Sequence, residues 1–219
     1  PDQDEKTSEC IFVYTTDTSK APKVGDLVKI SGRVSEYDEG QSTNLTSTQI
    51  TLSTIETISS DNTLPEPIVL GKDGRLIPSE TIDSDSFNVF NPEQDAIDFY
   101  ESLEGMLVKL PTPTIISPYW TSGGGNNLTY NIPTRVENDG TDLISPLGGL
   151  ALKDRTNLNP QRLLLAYSNP GVEVNTGDQF EQDITGVIGY NNGNFKVIPA
   201  QHDLPKIIPA NHTQEVTHI

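Results

Sequence analysis

The sequence predicts an all-β protein with one short helix and long irregular loops. Only 33% of its 219 residues are hydrophobic, which is below the usual share of a globular domain. Asn, Thr, Ser, Gly and Pro fill much of the remainder, as turn-rich β proteins require. Several segments also alternate apolar and polar residues with the period of two that is typical of half-buried strands. A thin core of this kind suits small barrels or sandwiches, and a single large helical core is not expected.

One strand organises the chain, and it lies within residues 24–37. The pair Gly25-Asp26 is a turn signal, and apolar and polar residues alternate after it. Gly32 interrupts the alternation where a small barrel commonly needs a bulge or a sharp bend. Residues 176–190 repeat the pattern more weakly, with Gly-Asp, a strand containing glycine, and then a tyrosine. The chain is therefore predicted to contain two related β units.

The other strands of the first unit follow from composition and alternation. Residues 11–16 are strongly strand-forming. Residues 48–58 alternate Ile and Leu with Thr and Ser, with a bulge expected near 53–54. Residues 38–41 are a plausible hairpin turn, and residues 68–70 add a short extended piece.

One helix is predicted, at residues 92–104. Asn91 can cap it, Pro92 occupies its first position, and acidic residues crowd its first turn. Gly105 ends it. Its apolar face consists of Ala96, Phe99, Tyr100 and Leu103.

The second unit is predicted to contain five strands, at residues 106–116, 128–136, 162–167, 182–190 and 195–198. Pro111 and Pro113 imply an edge or a bend in the first of them. Asn192-Gly193 favours a type I′ turn between the last two. These elements divide the chain into a domain of residues 1–104, a second domain of residues 105–200, and a linker or tail of residues 201–219.

Several of these segments, taken together, resemble one family of proteins. Residues 11–15 (Ile-Phe-Val-Tyr-Thr) and 24–37 resemble the OB-fold-like domain of secreted bacterial nucleases of the YhcR or ExeM type. Residues 103–108 (Leu-Glu-Gly-Met-Leu-Val) resemble that family's "YEGM-hydrophobic-V" segment. Residues 184–190 and 193–199 resemble the piece that precedes the nuclease domain. The resemblance spans most of residues 9–200, and the order and spacing of the motifs make it specific.

The resemblance implies two OB-like small β-barrels. Residues 11–15, 24–37 and 48–58 would be the third, fourth and fifth strands of the first barrel. Its first two strands would lie before Pro1, or another segment fills their place. In that family a catalytic endonuclease/exonuclease/phosphatase domain usually follows, and nothing in this chain matches its metal-binding motifs. The resemblance therefore implies a non-catalytic fragment of an extracellular bacterial protein, with a downstream nuclease domain as its partner.

OB barrels bind single strands through aromatic platforms and basic side chains on one open face. Lys29 and Arg33 have the same parity, so they point to one face of their strand. The alternative is that the aromatic residues are core and the two cations are ordinary outward residues. The candidate nucleic-acid-binding residues are Phe12, Tyr14, Lys29, Arg33 and Tyr37.

Two further groups of residues are candidate sites. Tyr119 and Trp120, beside a glycine-rich tip, could stack a base or a sugar, or could cap a barrel end. Asp2 and Asp4 could offer oxygen ligands to Ca²⁺ or Mg²⁺. Their spacing lacks the full calcium-loop signature, and a solvated terminus is the alternative.

The charge balance limits the choice of partners. The net charge of −17 comes from 31 acidic and 14 basic residues, and such a surface repels phosphate backbones and anionic membranes at long range. It suits divalent cations or a salty medium, and simple solvation is the alternative explanation. The single cysteine, Cys10, excludes an intrachain disulfide. No apolar run approaches the ~20 residues of a membrane span.

These observations predict an accessory region that binds or orients DNA or RNA for a downstream catalytic domain. Because the three histidines lie at 202, 212 and 218 in the tail, no Ser-His-Asp arrangement is expected in the folded part. Two alternatives stay open. One is an acidic domain-docking or protein-interaction scaffold, and the other is a secreted carbohydrate-binding module.

Overall fold

A computed structural model describes residues 4–125, 127–168, 171, 173–200 and 204–211. Thirteen strands, one α-helix and one short 3₁₀ turn form its regular structure, which confirms the predicted all-β class with one short helix. The helix is α1 (Ala96–Glu101). The strands are β1 (Phe12–Val13), β2 (Leu27–Tyr37), β3 (Ser47–Ser59), β4 (Ile68–Val69), β5 (Leu107–Leu110), β6 (Thr114–Ile115), β7 (Trp120–Gly124), β8 (Asn127–Arg135), β9 (Leu163–Tyr167), β10 (Gln179–Phe180), β11 (Ile184–Asn191), β12 (Asn194–Pro199) and β13 (Ile207–Ile208).

The strands form two sheets. Sheet A has the order β1-β3-β2, and its main part is the long antiparallel hairpin of β2 and β3. Sheet B has the order β13-β10-β6-β8-β9-β12-β11-β5-β4, with β7 paired to β8. Both orders are open paths, so the pairing of the described strands closes neither sheet into a barrel. The barrel part of the fold prediction is therefore not confirmed.

Gly32 and a β-bulge bend the hairpin of sheet A. The register shifts between Ser31 and Arg33, and Leu52 on the facing strand takes a left-handed conformation with φ of 49°. A Cβ on Gly32 would lie 2.5 Å from Ile50 Cγ2 and 2.7 Å from the Thr51 carbonyl oxygen. Only glycine fits this close approach. The bulge predicted near residues 53–54 is found at residues 52 and 53, opposite Gly32.

Helix α1 is shorter than predicted. It begins after Asp95 and not at Pro92, because its first amides bond outside the helix. The Ala96 and Ile97 N–H groups donate to the carbonyl oxygens of Thr81 and Ile82, each at 3.1 Å. The predicted apolar face is confirmed, since each of its residues is buried in the core of sheet B: Ala96, Phe99, Tyr100 and Leu103.

The segments around sheet B belong to one core. β4 pairs with β5, and α1 packs into the same hydrophobic cluster, so residues 68–104 accompany sheet B. At the other end of the chain, β13 pairs with β10, which ties part of the predicted tail to this sheet. No helix in the described ranges has the length and apolar character needed to cross a membrane.

A candidate binding cleft between the two sheets

An open cleft of about 1450 Å³ separates sheet A from sheet B. One wall consists of β1, the facing part of β3 and the end of β2. The other wall includes the face of β11 and β12 that carries Val187, Lys196 and Ile198. These residues alternate with Ile188 and Val197, which point into the core of sheet B. The alternation of β11 and β12 therefore fills the core with one face and lines this inter-sheet cleft with the other.

Six aromatic residues line the inter-sheet cleft, and four of them have about half of their surface exposed. The exposed fractions are 58% for Phe12, 50% for Tyr14, 52% for Tyr37 and 50% for Phe90. Phe12 lies on β1, Tyr37 ends β2, and the Tyr14 N–H donates to the Ile50 carbonyl at 2.9 Å. Aromatic faces that stay open to a cleft can stack flat rings of a ligand.

The predicted cations lie elsewhere. Lys29 and Arg33 are exposed on β2, opposite Glu56 and Thr51 of β3, and neither lines the inter-sheet cleft. The structure thus brings Phe12, Tyr14 and Tyr37 together and leaves the two predicted cations outside. Phe90, which sequence reasoning did not single out, joins the three predicted rings from the loop before α1.

Lys196 is a cleft residue that sequence reasoning also missed. Only 6% of its surface is exposed, and its ammonium donates to Asn191 Oδ1 at 3.5 Å. Burial lowers the pKa of Lys196, and the nearby Glu39 partly offsets this effect. The sequence contained one signal for this position. Because Phe195 and Val197 flank Lys196 in a strand-forming run, the alternation predicts that they face the core and that Lys196 faces the opposite side.

A set of polar contacts, which we call the hairpin lock, fixes sheet A to sheet B at one end of the cleft. The Glu39 carboxylate accepts hydrogen bonds from Asn44 Nδ2 at 3.1 Å, Asn191 Nδ2 at 2.5 Å and the Asn192 N–H at 2.6 Å. The Leu45 N–H donates to the Tyr190 hydroxyl oxygen at 3.1 Å. The hairpin lock joins the β2–β3 loop of sheet A to the end of β11 and the turn after it in sheet B. Its residues are Glu39, Asn44, Leu45, Tyr190, Asn191 and Asn192.

The hairpin lock joins two tight turns of the same kind. Glu39 and Gly40 have φ of 57° and 71°, and Asn192 and Gly193 have φ of 51° and 69°. Two consecutive left-handed residues are the signature of a type I′ turn, so the turn predicted at Asn192-Gly193 is confirmed. The predicted turn at residues 38–41 is also found, with the Gln41 N–H donating to the Asp38 carbonyl at 2.9 Å.

Carboxylates gather at another part of the cleft, where the end of α1 meets sheet A. Burial, together with the neighbouring carboxylates of Glu104, Glu36 and Asp98, raises the pKa of Glu101 to about 7. Burial also raises the pKa of Glu104, while a hydrogen bond with Ser47 opposes the shift. Three carboxylates and two lysines line the cleft: Glu39, Glu101, Glu104, Lys6 and Lys196. The site is therefore apolar and aromatic, with nearly balanced charge.

The other predicted candidates lie away from the cleft. Tyr119 packs its ring edge-on against Tyr130, with centroids 5.2 Å apart, and it lies partly buried against the core. Trp120 begins β7 and is exposed. Tyr119 thus packs against the edge of the core, whereas the ring of Trp120 is partly exposed to solvent.

The proposed metal ligands are placed only in part. Asp2 lies outside the described residues, as do the three histidines. Asp4 Oδ1 accepts a hydrogen bond from the Lys6 N–H at 3.0 Å. Within the part of the chain that the structure describes, no group of three or more His, Cys, Asp or Glu residues is placed to hold a metal ion.

Comparison with known proteins gives one match. Residues 69–209 match the family described as a domain of unknown function (DUF8508). The match covers more than half of the chain, and the chain therefore belongs to this family. It begins within β4 and ends just after β13, so it covers sheet B and leaves sheet A outside. No curated protein and no solved structure matches the chain.

Proposed function

For this member of the DUF8508 family, we propose a role as a non-catalytic accessory region of an extracellular nuclease. In this proposal the inter-sheet cleft holds single-stranded DNA or RNA for a downstream catalytic domain. The observation that supports it best is the set of half-exposed rings on one cleft, Phe12, Tyr14, Tyr37 and Phe90. The resemblance of the motifs in residues 9–200 to secreted bacterial nucleases supports the same role.

Stacking explains how so acidic a chain would bind a polyanion. A base stacked on an aromatic side chain contributes about 1–3 kcal/mol, and every base has a flat face. Phosphate contacts normally dominate nucleic-acid affinity, but a net charge of −17 opposes them. We therefore expect binding that relies on stacking more than on charge, and that Ca²⁺ or Mg²⁺ strengthens by screening the repulsion.

The test is fluorescence anisotropy with a labelled single-stranded DNA of about 12 nucleotides, at low salt, with and without Ca²⁺. The double variant Phe12→Ala/Tyr14→Ala should lose at least about tenfold in affinity, because it removes two stacking faces. Trp120→Ala is the matched control, since it removes an exposed ring outside the cleft. Equal losses in both variants would argue against the cleft.

A second result would change the ligand class. Binding of a neutral polysaccharide that Phe12→Ala/Tyr14→Ala abolishes, and that salt does not alter, would favour the carbohydrate-binding alternative. Sugar rings stack on the same aromatic faces, and the carboxylates of Glu101 and Glu104 would accept hydrogen bonds from sugar hydroxyl groups.

A docking role is the second candidate, and a specific observation favours it. The side chains of Val34 and Leu52 on sheet A are 62% and 85% exposed, and exposed apolar surface commonly marks an interaction site. A neighbouring domain of the parent protein could cover them. If neither nucleic acid nor polysaccharide binds, this scaffold role becomes the preferred explanation.

A further inference from the structure

We propose that Lys196 is the anchor for one phosphate group of the bound strand within the inter-sheet cleft. This inference rests on the proposed function and deepens it. The inference assigns the phosphate contact to Lys196 on β12 and not to Lys29 or Arg33, which lie outside the cleft.

The burial of Lys196 is the first part of the argument. With 6% of the residue exposed, Lys196 is a buried residue whose ammonium lies in a partly buried contact, and burying a charge is costly unless it is paired. Lys196 nevertheless lines an open cleft. An anionic group that enters the cleft would therefore meet a partly buried cation, and partial burial strengthens the attraction between them.

The hydrogen bonds around Lys196 are the second part. An ammonium group has three donors. Among the described residues, the one hydrogen bond of the Lys196 ammonium is the 3.5 Å contact with Asn191 Oδ1. The carboxylate of Glu39, which acts electrostatically on Lys196, already accepts from three N–H groups of the hairpin lock. Lys196 thus keeps donors for a ligand, while Glu39 is largely occupied.

The position on the sheet is the third part. Lys196 lies opposite Gly189 in the β11–β12 ladder, so the position directly across from it on the cleft face carries no side chain. The other cationic residue of the cleft, Lys6, forms an ion pair with Glu93 at 3.4 Å. Lys196 is therefore the better placed of the two cations to contact a phosphate.

The test measures how the affinity for the same labelled DNA depends on salt. Each phosphate contact contributes about −0.7 to the slope of log K against log salt for single strands. Lys196→Met should lower the affinity at low salt by at least about tenfold and make the slope less negative by about 0.7. Lys196→Arg should keep the slope. The control Lys29→Met/Arg33→Met should change neither quantity by a comparable amount.

The outcomes separate this inference from the proposed function. If the wild-type chain binds DNA but Lys196→Met leaves affinity and slope unchanged, the anchor is wrong and the proposed function stands. If the wild-type chain binds no DNA, or binds a polysaccharide without salt dependence, both fail. Circular dichroism checks that Lys196→Met is folded, and Lys196→Gln replaces it if it is not.

Discussion

Sheet A and sheet B differ in how much of their side-chain surface is buried. The core residues of sheet B and α1 form one hydrophobic cluster, in which side chains such as Phe99 and Leu165 are almost completely buried. Among the described side chains of residues 4–67, in contrast, Gln49 alone is buried. Three strands need a hydrophobic face or a packing partner for independent stability. Sheet A therefore depends on sheet B, and not the reverse.

The comparison indicates that sheet B provides most of the stability, whereas sheet A provides most of the exposed aromatic rings for the proposed ligand binding. The family match covers residues 69–209, which contain the hydrophobic core, whereas three of the four half-exposed aromatic residues of the cleft lie outside it: Phe12, Tyr14 and Tyr37. Sheet B provides a stable base, and sheet A adds the rings. A change in sheet A should alter the cleft without unfolding the body, and a change in the core should destabilise both.

Removing a core ring should give the largest effect. Phe99 is buried, packs edge-on against Tyr100 with centroids 5.3 Å apart, and lies 4.7 Å from the Arg75 guanidinium carbon. Phe99→Ala should therefore lower the free energy of unfolding by about 3–5 kcal/mol. Leu52→Ala on sheet A, at an exposed position, should change it by less than about 0.5 kcal/mol. Denaturant titration measures both. Similar losses would contradict the asymmetry between the sheets.

Opening the hairpin lock should give an intermediate effect that is confined to sheet A. Glu39→Ala removes the acceptor of three hydrogen bonds, two of them exposed to water, at a cost of about 0.5–1.5 kcal/mol. Hydrogen exchange should become faster in β2 and β3 but stay unchanged in β9 and β12. Glu66→Ala, at an exposed carboxylate, is the control. Faster exchange throughout sheet B would show that the two sheets unfold together.

The carboxylates near α1 should give the smallest effect, visible as a dependence of stability on pH. The pKa of Glu101 is raised from 4.5 to about 7, so the folded state keeps a proton that the unfolded state has lost. Stability should therefore fall as pH rises from about 4.5 through 7, and then level off. Thermal unfolding at a series of pH values measures this fall. Glu101→Gln should flatten it, whereas Glu66→Gln should not. A profile that rises over this range would refute the prediction.

The sequence predicted the parts of the fold that depend on local patterns. Alternation predicted a strand within residues 24–37, where β2 is found, and Asn192-Gly193 predicted the type I′ turn. The strand β7 was missed because Ser122, Gly123 and Gly124 have low strand propensity, and pairing with β8 overrides it. The helix was predicted to begin four residues too early. The hydrogen bonds from the Ala96 and Ile97 N–H groups to residues 81 and 82 delay its start, and the local sequence pattern does not reveal them.

The candidate site was only half predictable. Phe12, Tyr14 and Tyr37 were singled out by residue type and strand position, which are local properties. Lys196 and Phe90 join them only through the packing of sheet A on sheet B, and one sequence carries no direct signal for such a distant contact. Lys29 and Arg33 were chosen because they share a face of β2, but shared parity does not reveal whether that face lines a cleft.

The strand order of sheet B also bears on the time course of folding. Neighbouring strands in this sheet are often distant in the chain, as in the pairing of Ile184 with Leu110. Such nonlocal contacts slow folding, because the connecting chain loses its freedom before the contacts stabilise it. The β2–β3 hairpin of sheet A pairs strands that are adjacent in the chain, joined by residues 38–46, and such a hairpin forms on a faster timescale. The hairpin can pack against sheet B only after sheet B has assembled. We therefore expect the inter-sheet cleft to be the last part of the molecule to form.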